Sequence, residues 1–358
     1  MNMTKYTSPL DDLNAGFAID LDTAADARAE LKALFLCVDF PNRRAADSKH
    51  PEPKFYYDLL AGEGLEVFRQ ISYGRLRLDV ELADRWYTMP KCDADYEMER
   101  VITWETHRNY IKDALDAAQD IDFGQYDILY IAPVEGSAVP YSPTMTAKSW
   151  PVEAANGSKI GLVVTFGADM YFRRGKLFAH ENGHILGLPD LYLYDVPAGI
   201  RDCFAHCGTY DLMGLIEALA PDYLAYHKWR LGWIDDDQTA EAARGEVGTF
   251  ALTPIEVPGG LKLVNIPLDG ENGYIAEYRT PTGLDEKLGA DGVLVYRISA
   301  KVPNGMGCVT VIPPEPEKYL ALDTHTPDGL LLAGQSVERE GIRVTHLGGG
   351  RIEVSRAE

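Results

Sequence analysis

Residues 177–190 read Leu-Phe-Ala-His-Glu-Asn-Gly-His-Ile-Leu-Gly-Leu-Pro-Asp, and this stretch limits the fold more tightly than any other. Leu177, Phe178, Ala179, Ile185 and Leu186 call for burial, which carries His180, Glu181 and His184 inward between them. Buried polar groups need partners. On a helix, His180 and His184 stand at i and i+4 on one face, so both imidazoles can converge on one cation at about 2.0–2.1 Å. Glu181, beside the first histidine, can reach a water on that cation and accept its proton without being a ligand. Gly187 offers a left-handed helix stop and Pro189 blocks a restart, so the chain turns back and can bring Asp190 to the same ion. Spacing alone leaves Asp195, Asp202, His206 and Glu217 as other sources of a third ligand.

Elsewhere, strands alternate with helices up to about residue 235. The run 34–40 is continuously apolar and closed by Pro41, which predicts a strand covered on both faces. Helical spacing over 55–70 precedes strict alternation at Leu76, Leu78, Val80 and Leu82. A helix over 102–119, with Thr103 as its cap, leads to strands at 127–132 and 160–166, and a further helix is expected over 221–231. Beyond Asp235-Asp236-Asp237 the pattern changes to short alternating runs at 249–256, 261–266, 273–279, 292–298, 341–346 and 351–355. The expectation is an α+β protein in three parts. An N-terminal arm or propeptide remnant covers 1–28, a domain of twisted mixed sheet plus helices covers 29–240, and an all-β, sandwich-like domain covers 245–358.

A chain of 358 residues is long enough for about two cores. Its 34 Lys+Arg against 55 Asp+Glu give a net charge of −21, which repels polyanions and argues against nucleic acid and anionic membrane as partners. Met1 to Asp12 lacks the apolar core of a signal peptide, and the pattern predicts no transmembrane segment. Five cysteines are too few for a disulfide scaffold, although the spacing of Cys203 and Cys207 permits a small bridge or a second metal site. Neither a phosphate-binding loop nor a serine nucleophile elbow is present, so nucleotide and serine-hydrolase chemistries have no support.

The segment Gly208-Thr209-Tyr210-Asp211-Leu212-Met213-Gly214 is turn-like and follows the histidines. With it, His-Glu-x-x-His-x-x-Gly-x-x-Asp plus a methionine turn resembles the metzincin pattern. The fuller string His-Glu-x-Gly-His-x-Leu-Gly-Leu-Pro-Asp-x-Tyr, matched by 180–192, resembles the immune inhibitor A family of metallopeptidases within it. Further likenesses lie at 36–41, 72–74 and 228–233, and a weaker one at 274–279. The resemblance implies a metzincin-like zincin domain and a zinc endopeptidase that hydrolyses protein or peptide substrates by attack of a zinc-bound water. In it one catalytic Zn2+ is held by His180, His184 and Asp190, with Glu181 as general base and Met213 as a hydrophobic floor. It also implies an extracellular location, although neither signal nor propeptide is legible here.

Other readings stand beside this one. The helix could hold zinc in a catalytically silent binding or adhesion protein, which would not require Glu181, or the same chemistry could serve a zinc amidase acting on a non-peptide amide. Tyr192, Tyr194 and Tyr210 could each offer a phenol to an oxyanion. Asp235, Asp236 and Asp237 read as a solvated linker, with Ca2+ as a sharper alternative. His50, His107, His227, His325 and His346 read as structural or surface histidines, and the sequence leaves the oligomeric state open.

Overall fold

The computed structural model describes residues 24–194, 202–317, 319 and 328–356. Residues 1–23 of the expected arm, Asp195 and His325 lie outside the described residues, as does the Asp202 side chain. By contacts the described chain falls into two compact units, 24–68 with 76–187 and 69–75 with 188–356. Each combines helices or turns with β-sheet, and the whole is a mixed α and β protein with several sheets and few helices.

The first unit runs β1 (Glu30–Asp39), α1 (Pro53–Tyr57), a π-type turn over Asp58–Gly62, α2 (Glu63–Ile71), β2 (Arg77–Thr88), α3 (Trp104–Ala117), β3 (Ile128–Pro133), β4 (Thr144–Thr146), a small hairpin of β5 (Val152–Glu153) and β6 (Lys159–Ile160), β7 (Leu162–Thr165) and α4 (Met170–Ile185). Its main sheet has the order β2-β1-β3-β7-β4, with β4 antiparallel to β7 and the other pairings parallel. The continuous apolarity of β1 has the expected cause. Leu34, Leu36 and Val38 pack with Tyr110, Ile111 and Leu115 of α3 in one core, while Phe35 contacts the rings of Tyr57 and Phe166.

Helix α4 is tied to this sheet by β3. The Tyr130 hydroxyl donates to Asn182 Oδ1 at 2.6 Å, Asn182 Nδ2 donates to the Phe178 carbonyl at 2.8 Å, and the Tyr130 and Phe178 rings lie 4.8 Å apart. Near its start the helix kinks at Arg174, whose φ of 52° and ψ of −134° are strained for a residue with a side chain. Glu63 clamps the kink by accepting from Arg174 Nε at 3.1 and 3.0 Å and from its terminal nitrogen. Two glycines allow the crossing: a Cβ on Gly64 would stand 2.3 Å from the Phe178 ring, and one on Gly175 2.5 Å from Glu63 Cβ.

The second unit holds α5 (Ala225–Arg230) and the strands β8 (Thr239–Glu241), β9 (Val247–Ala251), β10 (Leu263–Pro267), β11 (Asn272–Arg279), β12 (Gly292–Ser299), β13 (Val309–Val311), β14 (Leu330–Leu331), β15 (Ser336–Arg339), β16 (Ile342–Gly348) and β17 (Arg351–Arg356). One sheet has the order β13-β12-β11-β10-β8, with β14 also on β12, and a second the order β15-β16-β17-β9. Val264, Ala276 and Val295 of the first sheet share a core with Val344, Ile352 and Val354 of the second.

Beside that core lies a buried ionic network. Arg279 donates to Glu277 Oε1 and Asp285 Oδ2 at 2.7 Å each, and to the carbonyls of Tyr210 at 3.0 Å and Asp222 at 3.1 Å. Lys228 meets Asp222 Oδ2 at 2.7 Å and lies 4.4 Å over the Tyr73 ring. The backbone N–H groups of Asp222, Leu224 and Ala225 donate to Asp285, Asp211 and Glu277 at 2.9, 2.7 and 2.7 Å. These acids satisfy the entry to α5, whose donors would otherwise be orphaned. The helix expected over 221–231 is therefore shorter: residues 221–224 lie outside it, with Leu224 at its N-cap and its N–H taken by Asp211.

Candidate metal centre

Helix α4 presents His180 and His184 one turn apart, with ring centroids 4.9 Å apart and planes at 87°. Its end follows the local rule: the Leu186 N–H donates to Asn182 and the Gly187 N–H to His184, both at 2.9 Å, and Gly187 takes a φ of 88°. Pro189 and Asp190 follow. Within the continuous segment 180–190, His180, His184 and Asp190 each offer one ligand atom, and the three atoms lie within 4.8 Å of one another. His180 and Asp190 are buried and His184 is half-buried. Two imidazoles and a carboxylate are donor types that zinc takes, and three protein ligands are the count of a catalytic site that keeps a position open. Among the described residues this is the one cluster of three or more such side chains.

Glu181 lies next to His180, is 5% exposed, and accepts a hydrogen bond from the Thr144 hydroxyl to Oε2 at 2.6 Å. Burial pushes its carboxyl pKa up, against the pull of His180, His184 and Thr144. Such an environment suits a group that must take and return a proton. Asp169, also buried, accepts from the Ser142 hydroxyl at 2.7 Å, and burial raises its pKa against the opposing influence of Ser142, Arg173 and His180.

Asp190 is held from two sides. Its N–H donates to Asn304 Oδ1 at 2.7 Å, and the Tyr194 hydroxyl donates to its Oδ2 at 2.6 Å. The next residue, Leu191, donates its N–H to the Met213 carbonyl at 2.9 Å, and the Met213 N–H donates to Asp211 Oδ1 at 2.7 Å. Met213 is fully buried in a turn. The other Asp211 oxygen meets His227 Nδ1 at 2.9 Å, so the turn is braced from α5.

The remaining candidates are placed elsewhere. Glu217 is exposed, and His206 is half-buried with its Nδ1 at 3.0 Å from Thr310 Oγ1. Tyr210 accepts from the Gly329 N–H at 2.9 Å, which occupies its hydroxyl with backbone, and the Tyr192 ring packs 5.7 Å from that of Tyr194. Cys203 and Cys207 are both free thiols, so the small disulfide that their spacing permits is not formed. Asp235 pairs with Arg75 at 2.7 Å, and Asp236 accepts from the Trp229 indole at 2.7 Å. His107 and His346 are buried, and His50 stacks on Phe55 at 3.7 Å.

Thr144 and Asn304 escaped the sequence reading. The first sits in a strand of three residues, too short for alternation to register, and the second is 114 residues from the aspartate it contacts. No protein-family model matches this chain, and a comparison with curated proteins finds no match.

Proposed function

We propose that this protein is a zinc-dependent endopeptidase of metzincin type, akin to the immune inhibitor A family and exported like it, acting on protein or peptide substrates. The observation that carries the reading is the cluster of His180, His184 and Asp190 with a buried carboxylate, Glu181, next to it. A structural zinc site has no use for that carboxylate, which weighs against a silent binding or adhesion protein.

Zinc, when bound, would lower the pKa of a water and polarise the scissile carbonyl. His180, His184 and Asp190 would hold it, and the family resemblance assigns Met213 the role of apolar floor. Glu181 takes the proton of the attacking water and delivers it to the departing nitrogen. Thr144 fixes one oxygen of that carboxylate, so the proton-carrying group keeps one orientation through the step. Because β4 ends its sheet among the described residues, an extended peptide could pair with it, which favours a peptide over another amide.

The test combines zinc content with cleavage of casein, with and without 1,10-phenanthroline, in the wild type and in Glu181→Gln. The expected result is one zinc per chain in both proteins, internal cleavage that the chelator abolishes, and turnover lower by about 10²–10⁴-fold in the variant. Full turnover in Glu181→Gln would overturn the mechanism. Hydrolysis confined to non-peptide amides would favour the amidase instead.

A further inference from the structure

We propose that the loop joining β12 to β13 is a template for the third metal ligand, with Asn304 and Tyr194 as positioning residues for Asp190. The inference rests on the zinc reading of Asp190 and adds to it a reason why the β-rich part of the chain is needed at all.

The loop is itself well fixed. The Ser299 N–H donates to Cys308 at 2.9 Å across its base, and inside it Val302 donates to Ser299 and Met306 to Pro303, both at 3.1 Å. Asn304 at its tip receives the Asp190 N–H at 2.7 Å. The adjacent Gly305 carbonyl receives the Tyr194 N–H at 2.9 Å, and Tyr194 in turn donates its hydroxyl to Asp190 Oδ2. Gly305 has a φ of 70°, and a Cβ there would stand 2.3 Å from the Tyr194 ring, so the ring lies directly on the loop backbone. Four points are thereby linked in a ring: Asp190 backbone, Asn304, Gly305 and the Tyr194 side chain that returns to the Asp190 carboxylate.

An aspartate side chain has few atoms but two free torsions, and a metal gains most from a carboxylate already set in place. Here the backbone of Asp190 is fixed by one partner and its carboxylate by another. Groups that orient a ligand in this way commonly account for about 10–100-fold in metal affinity. Neither Asn304 nor Tyr194 needs to touch the metal.

The experiment uses the full chain, stripped of metal and titrated with zinc alone in competition with a chelator of known affinity. Cobalt(II) absorption serves as a second readout of ligand geometry. Asp190→Ala, Tyr194→Phe, Asn304→Ala and Gly305→Ala are compared with the wild type. The expected result is zinc binding weakened about 10–100-fold in Tyr194→Phe and Asn304→Ala, with an altered cobalt spectrum. Gly305→Ala should weaken it in the same direction. Tyr194 is 54% exposed and the substitution removes one oxygen, so Tyr194→Phe folds and decides the matter if another variant does not. Wild-type zinc affinity in Tyr194→Phe and Asn304→Ala, with loss in Asp190→Ala, would overturn the template alone. Wild-type affinity in Asp190→Ala, or no zinc binding by the wild type, would overturn the metal reading and the template together.

Discussion

Thr144 and Glu181 are joined by a hydrogen bond of 2.6 Å, from the threonine hydroxyl on strand β4 to the carboxylate Oε2 on helix α4, which carries His180 and His184. The carboxylate is buried, so this bond is worth more than its exposed counterpart, about 1.5–3 kcal/mol for a charged acceptor. Replacing Thr144 by Val keeps the shape and removes the donor. Turnover of a peptide substrate is expected to fall about tenfold or more while KM and zinc content hold, and Thr144→Ser should restore it. Unchanged kcat in Thr144→Val would separate the bond from the chemistry.

His107 makes folding sensitive to acid. It is buried on α3 with its Nε2 at 3.0 Å from Thr165 Oγ1, and burial pushes the imidazole from 6.5 down to about 3. The unfolded chain therefore takes up a proton near pH 6.5 that the folded chain refuses until about pH 3. The contribution to stability is fully present above pH 6.5 and shrinks as pH falls toward 3, by up to about 1.4 kcal/mol per unit. In His107→Gln, urea midpoints between pH 6 and 4 should fall less steeply than in the wild type. Parallel slopes would assign the acid sensitivity elsewhere.

Arg174 sets strain against an ion pair. Ala at this position keeps a Cβ in the strained conformation and loses Glu63, whereas Gly relieves a strain of about 1–3 kcal/mol. The pair is half exposed and worth about 0–1 kcal/mol. Arg174→Gly is expected to melt above Arg174→Ala in paired thermal scans. The reverse order would mean that the kink carries no strain.

Arg279 compensates two buried acids at once. Arg279→Leu leaves Glu277 and Asp285 without their cation and should cost about 3–5 kcal/mol in urea unfolding. Arg279→Lys, which keeps the charge and loses the planar fork, should fall between. A change below about 1 kcal/mol in the leucine variant would show that water reaches the pair.

The features legible in the sequence are those with local causes. Thr103 caps α3 by accepting the Thr106 N–H at 3.0 Å, as its position before the apolar period indicates. Gly187 stops α4 because a glycine tolerates positive φ and Pro189 follows it. The mixed α and β class follows from alternating periods of helix and strand. What stayed hidden depends on distant partners. The π-type turn Asp58–Gly62 interrupts a run with ordinary helical spacing. Strands such as Val309–Val311 are too short to show alternation. Glu277 and Arg279 look in sequence like the solvent side of a strand, yet both are buried, because each is the other's counterion.

The reach of these contacts also orders events during synthesis. Tyr210 waits 69 residues for Arg279, and Asp190 waits 114 residues for Asn304. While the chain is still being made, the Asp190 N–H has no Asn304 to meet and the Tyr210 carbonyl no Arg279, since those partners are not yet synthesised. A product that ends before residue 304 carries His180 and His184 but not the partner of the Asp190 N–H. The brace around Asp190 is thus complete only once residues 299–308 have been made, so zinc affinity is expected to be lower in chains that end before them.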